Sequence, residues 1–203
     1  MLRDWIRLFS PTSAGFTLAS TGVRFPRARV GGRSYARSMS NVFLLRIDSP
    51  VGRIELLGDD EHLVALTIED ADGSLPHDDE PERPNPVLEL AREQLAEYFA
   101  GTRTDFELPV RPTGGSDFQR AVWAELARLH WGEATSYGAL AQAVGRPGSA
   151  RAIGGAVGAN PIPIVIGCHR VLASDGRITG YSGGQGISTK LWLLGHEQIG
   201  FAA

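Results

Sequence analysis

From residue 42 onward the apolar positions change period in a way that divides the chain. Val42-Phe43-Leu44-Leu45-Arg46-Ile47 is an apolar run of strand length, and Ser49-Pro50-Val51-Gly52 behind it has turn composition. Arg53 to Leu57 and Leu63 to Ile68 repeat the pattern, so three strands are expected in succession. The acidic, proline-rich stretch from Asp70 to Pro84 reads as an exposed loop. Beyond it Leu88, Ala91, Leu95 and Phe99 recur at helical spacing, with Asn85 as N-cap, Pro86 in the first helical position and Gly101 as the stop. Residues 41–112 are therefore expected to form an α/β domain, a small antiparallel sheet plus one helix. Nothing in it looks catalytic. His62 and His77 fall in loop-like segments, read as solvated surface, and lack the clustered partners of a metal site.

Residues 113–203 have a different rhythm. After Pro112-Thr113-Gly114-Gly115, Ser116 or Asp117 caps a helix whose apolar face is Phe118, Val122, Trp123, Leu126 and Leu129. Thr135-Ser136-Tyr137 opens a short second helix with Leu140, Ala143 and Val144 inward. Gly145-Arg146-Pro147-Gly148 is a turn, and Ser149 caps a third helix from Ala150 to about Gly158. Two short helices joined by a glycine-containing turn have the form of a helix-turn-helix. The third helix is almost bare: Ala152, Gly154, Gly155, Ala156 and Gly158 carry little bulk, and each helical glycine costs about 1 kcal/mol relative to alanine. That cost implies a surface approached closely by another helix or by a nucleic-acid backbone, with Arg151 the one long side chain at its start. Pro161 to Ile166 is expected to be extended and buried. Ser174-Asp175-Gly176-Arg177 reads as a hairpin turn and Tyr181-Ser182-Gly183-Gly184 as a loop. Leu191 to Glu197 closes the chain as a helix.

Residues 1–40 show no core pattern and read as a disordered leader or a start artefact, with Met39 as an alternative initiator. They lack the apolar stretch of a secretory signal. Charge follows the same divisions. The net charge of -3 splits into +6 for residues 1–40, −11 for 41–112 and +2 for 113–203, so the last part is the one suited to a polyanion. No segment approaches the ~20 apolar residues of a membrane span. The basic residues are arginine except Lys190, which reads as coding bias.

Candidate chemistry centres on Cys168, the only cysteine, in Ile166-Gly167-Cys168-His169-Arg170-Val171. One cysteine excludes an internal disulfide and most thiolate metal sites, and it suits a reducing, cytoplasmic setting. A buried structural thiol is the ordinary reading of such a residue. As a nucleophile it needs a base or a positive field nearby, which His169 and Arg170 offer. Neighbours on a strand point to opposite sides, so contact requires a turn or helix start after Cys168. Glu197 is a candidate to orient His169.

The run Asn160-Pro161-Ile162-Pro163-Ile164-Val165-Ile166-Gly167-Cys168-His169-Arg170-Val171 resembles the active-site signature of the O6-alkylguanine-DNA alkyltransferases. The resemblance extends from Phe118 to Glu197 through Ser136-Tyr137, Ala150-Arg151-Ala152-Ile153-Gly154-Gly155-Ala156, Tyr181-Ser182-Gly183-Gly184 and Leu193-Leu194-Gly195-His196-Glu197. From Val42 to Val110 it is looser. It implies a mainly α, winged-helix-like DNA-binding domain over 113–203, and a single-turnover transfer of an alkyl group from O6-alkylguanine, or O4-alkylthymine, to Cys168. No cofactor is implied; some members of the family carry structural zinc through cysteines, and the single cysteine here argues against a metal. By the same resemblance His169 activates Cys168 through a water, Glu197 orients His169, and Asn160 braces the turn between the recognition helix and the active-site strand. Tyr137 rotates the phosphate and protonates the leaving guanine, and Arg151 fills the gap left by the flipped base. Ala152, Gly154 and Gly155 face DNA. Val157, Tyr181 and Ser182 line the pocket, with the carbonyls of Cys168 and Val171 reading the guanine amine. The implied partner is double-stranded DNA bound through the minor groove by a monomer. A base inside a duplex is unreachable, so flipping at a cost of a few kcal/mol fits the chemistry, and a smooth helix fits a narrow groove.

One position departs from the pattern. The family has proline before the cysteine and this chain has Gly167. Glycine adds backbone freedom and restores an N–H, so looser positioning of Cys168 and a slower reaction are expected. Two other readings compete: a lesion-binding relative that marks damage without transfer, and a Cys-His hydrolase with turnover. Retention of Cys168 weighs against the first, and the absence of an oxyanion-hole motif against the second.

Overall fold

Three strands follow one another as an antiparallel meander in the computed structural model, which describes residues 42–202. They are β1 (Phe43–Ile47), β2 (Ile54–Gly58) and β3 (Leu63–Ile68), in the order β1-β2-β3. β1 pairs with β2 from Phe43↔Gly58 to Ile47↔Ile54, and the β2–β3 register shifts once at Leu57/Gly58. Helix α1 (Pro86–Phe99) covers the sheet with Leu88, Ala91, Leu95 and Tyr98. The Asn85 side chain accepts from Leu88 N at 2.9 Å and donates to the Asp59 carbonyl at 2.7 Å. The cap that starts the helix, about 1 kcal/mol in such positions, thus also ties it to the β2–β3 turn. The sequence expected Phe99 on the inward face. Tyr98 takes that place, three residues after Leu95, and Phe99 is only partly buried. His77 is likewise not plain surface: its Nδ1 lies 2.7 Å from the buried Glu55 carboxylate.

The second unit is mainly helical. Ser116 caps α2 (Asp117–Leu126) in a reciprocal capping box with Gln119. Gly115 stands where a Cβ would lie 2.5 Å from the Trp123 ring, so glycine lets the chain turn over that indole. Trp123 Nε1 donates to the Ala156 carbonyl at 2.8 Å, seating α2 on α4. Thr135–Ser136 forms a two-residue strand, β4, not the first turn of a helix. It pairs in parallel with β5 (Val171–Leu172), and α3 (Tyr137–Ala143) starts one residue later on the Ser136 cap. The turn to α4 (Ala150–Gly158) completes the helix-turn-helix. Ser149 makes no side-chain cap, because its hydroxyl is turned back to the Arg146 carbonyl. Residues 174–177 do turn tightly, with Ala173 N bonded to the Arg177 carbonyl at 2.9 Å, but Arg177 bridges Ala202 rather than closing a hairpin. Helix α5 (Ile187–His196) closes the fold. One hydrophobic core runs through both units, from Leu45 to Leu193.

The expectation for residues 1–40 lies outside the described residues. The expectation of an extended Pro161–Ile166 segment is corrected. The segment is buried, with Ile162, Ile164 and Ile166 at 0% exposure, but it is folded into turns. Val165 N bonds the Pro163 carbonyl and Ile166 N the Ile162 carbonyl, both at 2.9 Å. Pro161 and Pro163 have no N–H to give a strand ladder. Ile164 sits at φ 71°, a left-handed position that costs a β-branched residue about 1–3 kcal/mol. Leu66 N reaches the Pro161 carbonyl at 2.9 Å, so the β3 edge helps hold the segment that carries the cysteine.

Candidate active site

The turned segment delivers Cys168 to the first position of a 3-10 helix, Cys168–Arg170. This turn takes Cys168 and His169 out of the strand geometry in which neighbours point to opposite sides. Asn160 staples the approach: its Nδ2 donates to the Ile166 carbonyl at 2.9 Å and its Oδ1 accepts from Ile162 N at 3.1 Å. Cys168 is 5% exposed and its Sγ lies 4.0 Å from the Tyr181 hydroxyl. Burial pushes the thiol up, against hydrogen bonds from Asn160 and Tyr181 and the charge of Lys190, which pull it down.

His169 and Glu197 are completely buried, and His169 Nε2 lies 2.9 Å from Glu197 Oε1. The other ring nitrogen, Nδ1, is buried without a hydrogen-bond partner among the described residues. Burial pushes the imidazole down, opposed by the Glu197 carboxylate. Burial alone would raise the Glu197 carboxyl; hydrogen bonds from His169 and Arg170 overcome it and hold the group at about 2. Arg170 does not face the thiol as its sequence position suggests. Its Nε donates to Glu197 Oε2 at 2.7 Å, its Nη2 to Oε1 at 2.8 Å, and its Nη1 to the Leu129 carbonyl.

Two openings reach Cys168. A cleft of about 490 Å³ is lined by Tyr137, Arg151, Gly154, Val157, Tyr181 and Ser182. A second, of about 300 Å³, runs between β3 and the Pro161–Pro163 turn. Tyr137 Oη accepts from Thr179 Oγ1 at 3.2 Å, and Ser182 Oγ donates to the Gly158 carbonyl at 2.9 Å. Arg151, Ala152 and Gly155 lie exposed along α4, with Gly154 half-buried. Val171 lines neither opening and is completely buried. Its carbonyl accepts from Lys190 Nζ at 2.6 Å, which leaves one lone pair for any other donor.

Two residues at this site were missed in the sequence. Lys190, whose rarity in the sequence reads as coding bias, is 1% exposed and also lies 3.3 Å from the Gly180 carbonyl. Burial pushes its ammonium down, the nearby Cys168 opposing. A signal was present: Lys190 precedes Leu193 and Leu194 by three and four residues, which puts it on the inward face of α5. Tyr98, from the unit that looked chemically silent, donates its hydroxyl to Glu197 Oε1 at 2.8 Å. Among the described residues there is no cluster of three His, Cys, Asp or Glu side chains fit for a metal, and no helix long and apolar enough to cross a membrane.

Residues 45–112 match the ribonuclease-like domain of 6-O-methylguanine DNA methyltransferase, and residues 117–199 match its DNA binding domain. The chain is 44% identical over 152 residues to a methylated-DNA--protein-cysteine methyltransferase of Mycolicibacterium paratuberculosis, covering 75% of this chain and 90% of that one. Among solved structures it resembles the O6-methylguanine methyltransferase of Mycobacterium tuberculosis, with TM-score 0.68, 39% identity and coverage of 77% of this chain and 93% of the other. A structure titled as Mycobacterium tuberculosis OGT in complex with DNA is similar at TM-score 0.68 and 41% identity, over 77% and 93% of the two chains. The small antiparallel sheet with its helix, followed by a helical DNA-binding unit, is the arrangement these matches share, and the chain belongs to the 6-O-methylguanine DNA methyltransferase family.

Proposed function

We propose that this protein repairs DNA by transferring an alkyl group from O6-alkylguanine to Cys168, once per molecule. The observation that carries the reading is a single cysteine lining an open cleft and followed directly by the histidine of a fully buried His169–Glu197 pair. Relatives named for transfer of methyl groups from DNA to a protein cysteine support the same chemistry. The chain is read as two units, 41–112 and 113–203, acting as a monomer in the cytoplasm.

The residues divide the work as follows. The flipped base enters the larger cleft beside Val157, Tyr181 and Ser182. Ala152, Gly154 and Gly155 let α4 approach the minor-groove backbone, and Arg151 fills the stack behind the base. The sulfur attacks the alkyl carbon as the carbon–O6 bond breaks. The thiol proton passes through a water to His169 Nδ1, the ring nitrogen that Glu197 leaves free, and Glu197 stabilises the imidazolium that forms. Tyr137 supplies the proton that the departing guanine needs. An S-alkyl cysteine and an intact guanine result, and no step regenerates the thiol. Asn160 keeps Cys168 in place throughout.

The test is intact mass after incubation with a duplex carrying one O6-methylguanine, beside Cys168→Ala. One added methyl per protein, absent from the variant, is the expected result. Binding of the lesion with no mass change would convert the reading to a damage marker, and more than one guanine repaired per protein would convert it to a turnover enzyme.

A further inference from the structure

Tyr98 is fully buried at the end of α1, held at both ends by the last turn of α5. Its hydroxyl lies 2.8 Å from Glu197 Oε1, and its main-chain carbonyl lies 2.7 Å from His196 Nε2. Its ring packs among Phe106, Trp131 and His196 at centroid distances of 5.3, 5.4 and 5.1 Å. Packing alone would be met by phenylalanine. A hydroxyl taken into such a place costs free energy unless it is bonded, and the hydrogen bond described for this one is to the carboxylate that holds His169. Burial and the neighbouring Glu197 charge push the phenol far above its ordinary value, so it remains a donor.

We propose that Tyr98 is a positioning residue for the transfer: its hydroxyl, brought from the first unit, fixes the Glu197 carboxylate that orients His169. The inference rests on the reading of His169 as proton acceptor. Glu197 accepts from His169, Tyr98 and two nitrogens of Arg170. Three of these donors converge on Oε1 and one meets Oε2, so the carboxylate is held at both oxygens and has little freedom to swing away from the imidazole. The titratable or charged groups facing the pair are Arg170, Lys190, Tyr98 and Tyr181. Tyr98 is the one contributed by the sheet unit, which makes that unit part of the chemistry and not only a support.

The experiment compares single-turnover transfer rates across pH for the wild type, Tyr98→Phe, Glu197→Gln and Phe106→Leu, with thermal melts of each. Tyr98→Phe keeps the ring and loses the donor. The carboxylate charge then falls more fully on His169, so the acid limb of the profile should move to higher pH. The rate near neutrality should fall about tenfold, as loss of one hydrogen bond to a charged group implies. Affinity for lesion DNA should be unchanged. Phe106→Leu should lower the melting temperature and leave the profile where it is. A Tyr98→Phe profile that coincides with wild type or with Phe106→Leu, while Glu197→Gln is slow, overturns the inference alone. A normal rate and profile in Glu197→Gln overturns the proton-acceptor reading with it.

Discussion

Two buried glutamates in this molecule carry the same retinue and do different things. Glu55, on β2, is 1% exposed and has His77 Nδ1 at 2.7 Å and Arg46 Nε at 3.6 Å. Glu197 is fully buried and has His169 at 2.9 Å and Arg170 at 2.7 Å. A search for Glu-His-Arg triplets would return both. The first set faces the loop after β3: His77 comes from that loop, its ring is about a third exposed, and Arg46 binds the His77 and Glu80 carbonyls. It pins an acidic segment to the sheet. The second set is fully buried at its histidine and glutamate, follows a cysteine in the sequence, and leaves one imidazole nitrogen unpaired among the described residues. The difference teaches that residue type does not make a site. What sets the second apart is a carboxylate held at both oxygens, an imidazole with one nitrogen left over among the described residues, and a sequence neighbour, Cys168, that lines a cleft.

Neutralising each carboxylate in turn gives the sharpest test of that contrast. Glu197→Gln removes the charge that steadies the imidazolium, and transfer should fall about a hundredfold, the lower range for loss of assisted proton transfer. It should also destabilise by about 3–5 kcal/mol, because Arg170 is left buried without its counter-charge. Glu55→Gln should cost about 1–2 kcal/mol through the weakened His77 and Arg46 contacts and leave the transfer rate untouched. Stopped transfer kinetics and denaturant melts measure both. Equal effects on rate would break the comparison.

Acid should expose the second set in two stages. His169 is held neutral by burial below its ordinary 6.5, so the unfolded chain takes up a proton first and stability falls as pH drops below about 6.5. Glu197 is held at about 2 against an ordinary 4.5, so its contribution is complete above 4.5 and drains away as pH falls toward 2, on the order of 3 kcal/mol at the limit. His169→Asn should remove the upper stage of the melting curve and Glu197→Gln the lower.

The same contrast explains what could be read in the chain beforehand. The strands and α1 were legible because their periods of two and 3.6 are local, and the Asn85-Pro86 and Ser116 caps mark helix starts by their own chemistry. Cys168 and its motif were legible as a string. The Pro161–Ile166 turns were not: apolar content predicts burial, whereas the path was set by two missing N–H groups and a left-handed Ile164. Nor was Tyr98 legible as part of the site, since it is 99 residues from Glu197 and only the packing of α1 on α5 joins them. Arg170 was misread for a related reason. Sequence put its charge beside the thiol, but the 3-10 turn swings it round to the carboxylate.

Gly167 joins that turn to the question of rate. Read as a string, a glycine in place of proline loosens Cys168. In the fold its φ is −68°, a value proline or alanine adopts without strain, so conformational freedom is not what the position uses. It uses the absence of a Cβ. A Cβ there would stand 2.8 Å from Arg170 Cδ and 3.0 Å from its Nε and Nη1. An arginine free to move would give way, but this one is fixed at the Glu197 carboxylate by Nε and Nη2 and at Leu129 by Nη1. Gly167→Ala should therefore push the guanidinium off Glu197, cost about 1.5–3 kcal/mol, as loss of one charged hydrogen bond would, and slow transfer roughly threefold, since the other donors still hold the carboxylate. Gly167→Pro, which restores the family residue, should do the same or worse unless Arg170 is shortened alongside it. A faster reaction in either single variant would mean that the glycine is a weakness of the site and that the string reading was the better one. A slower reaction would make Gly167 the space into which the carboxylate's clamp is folded.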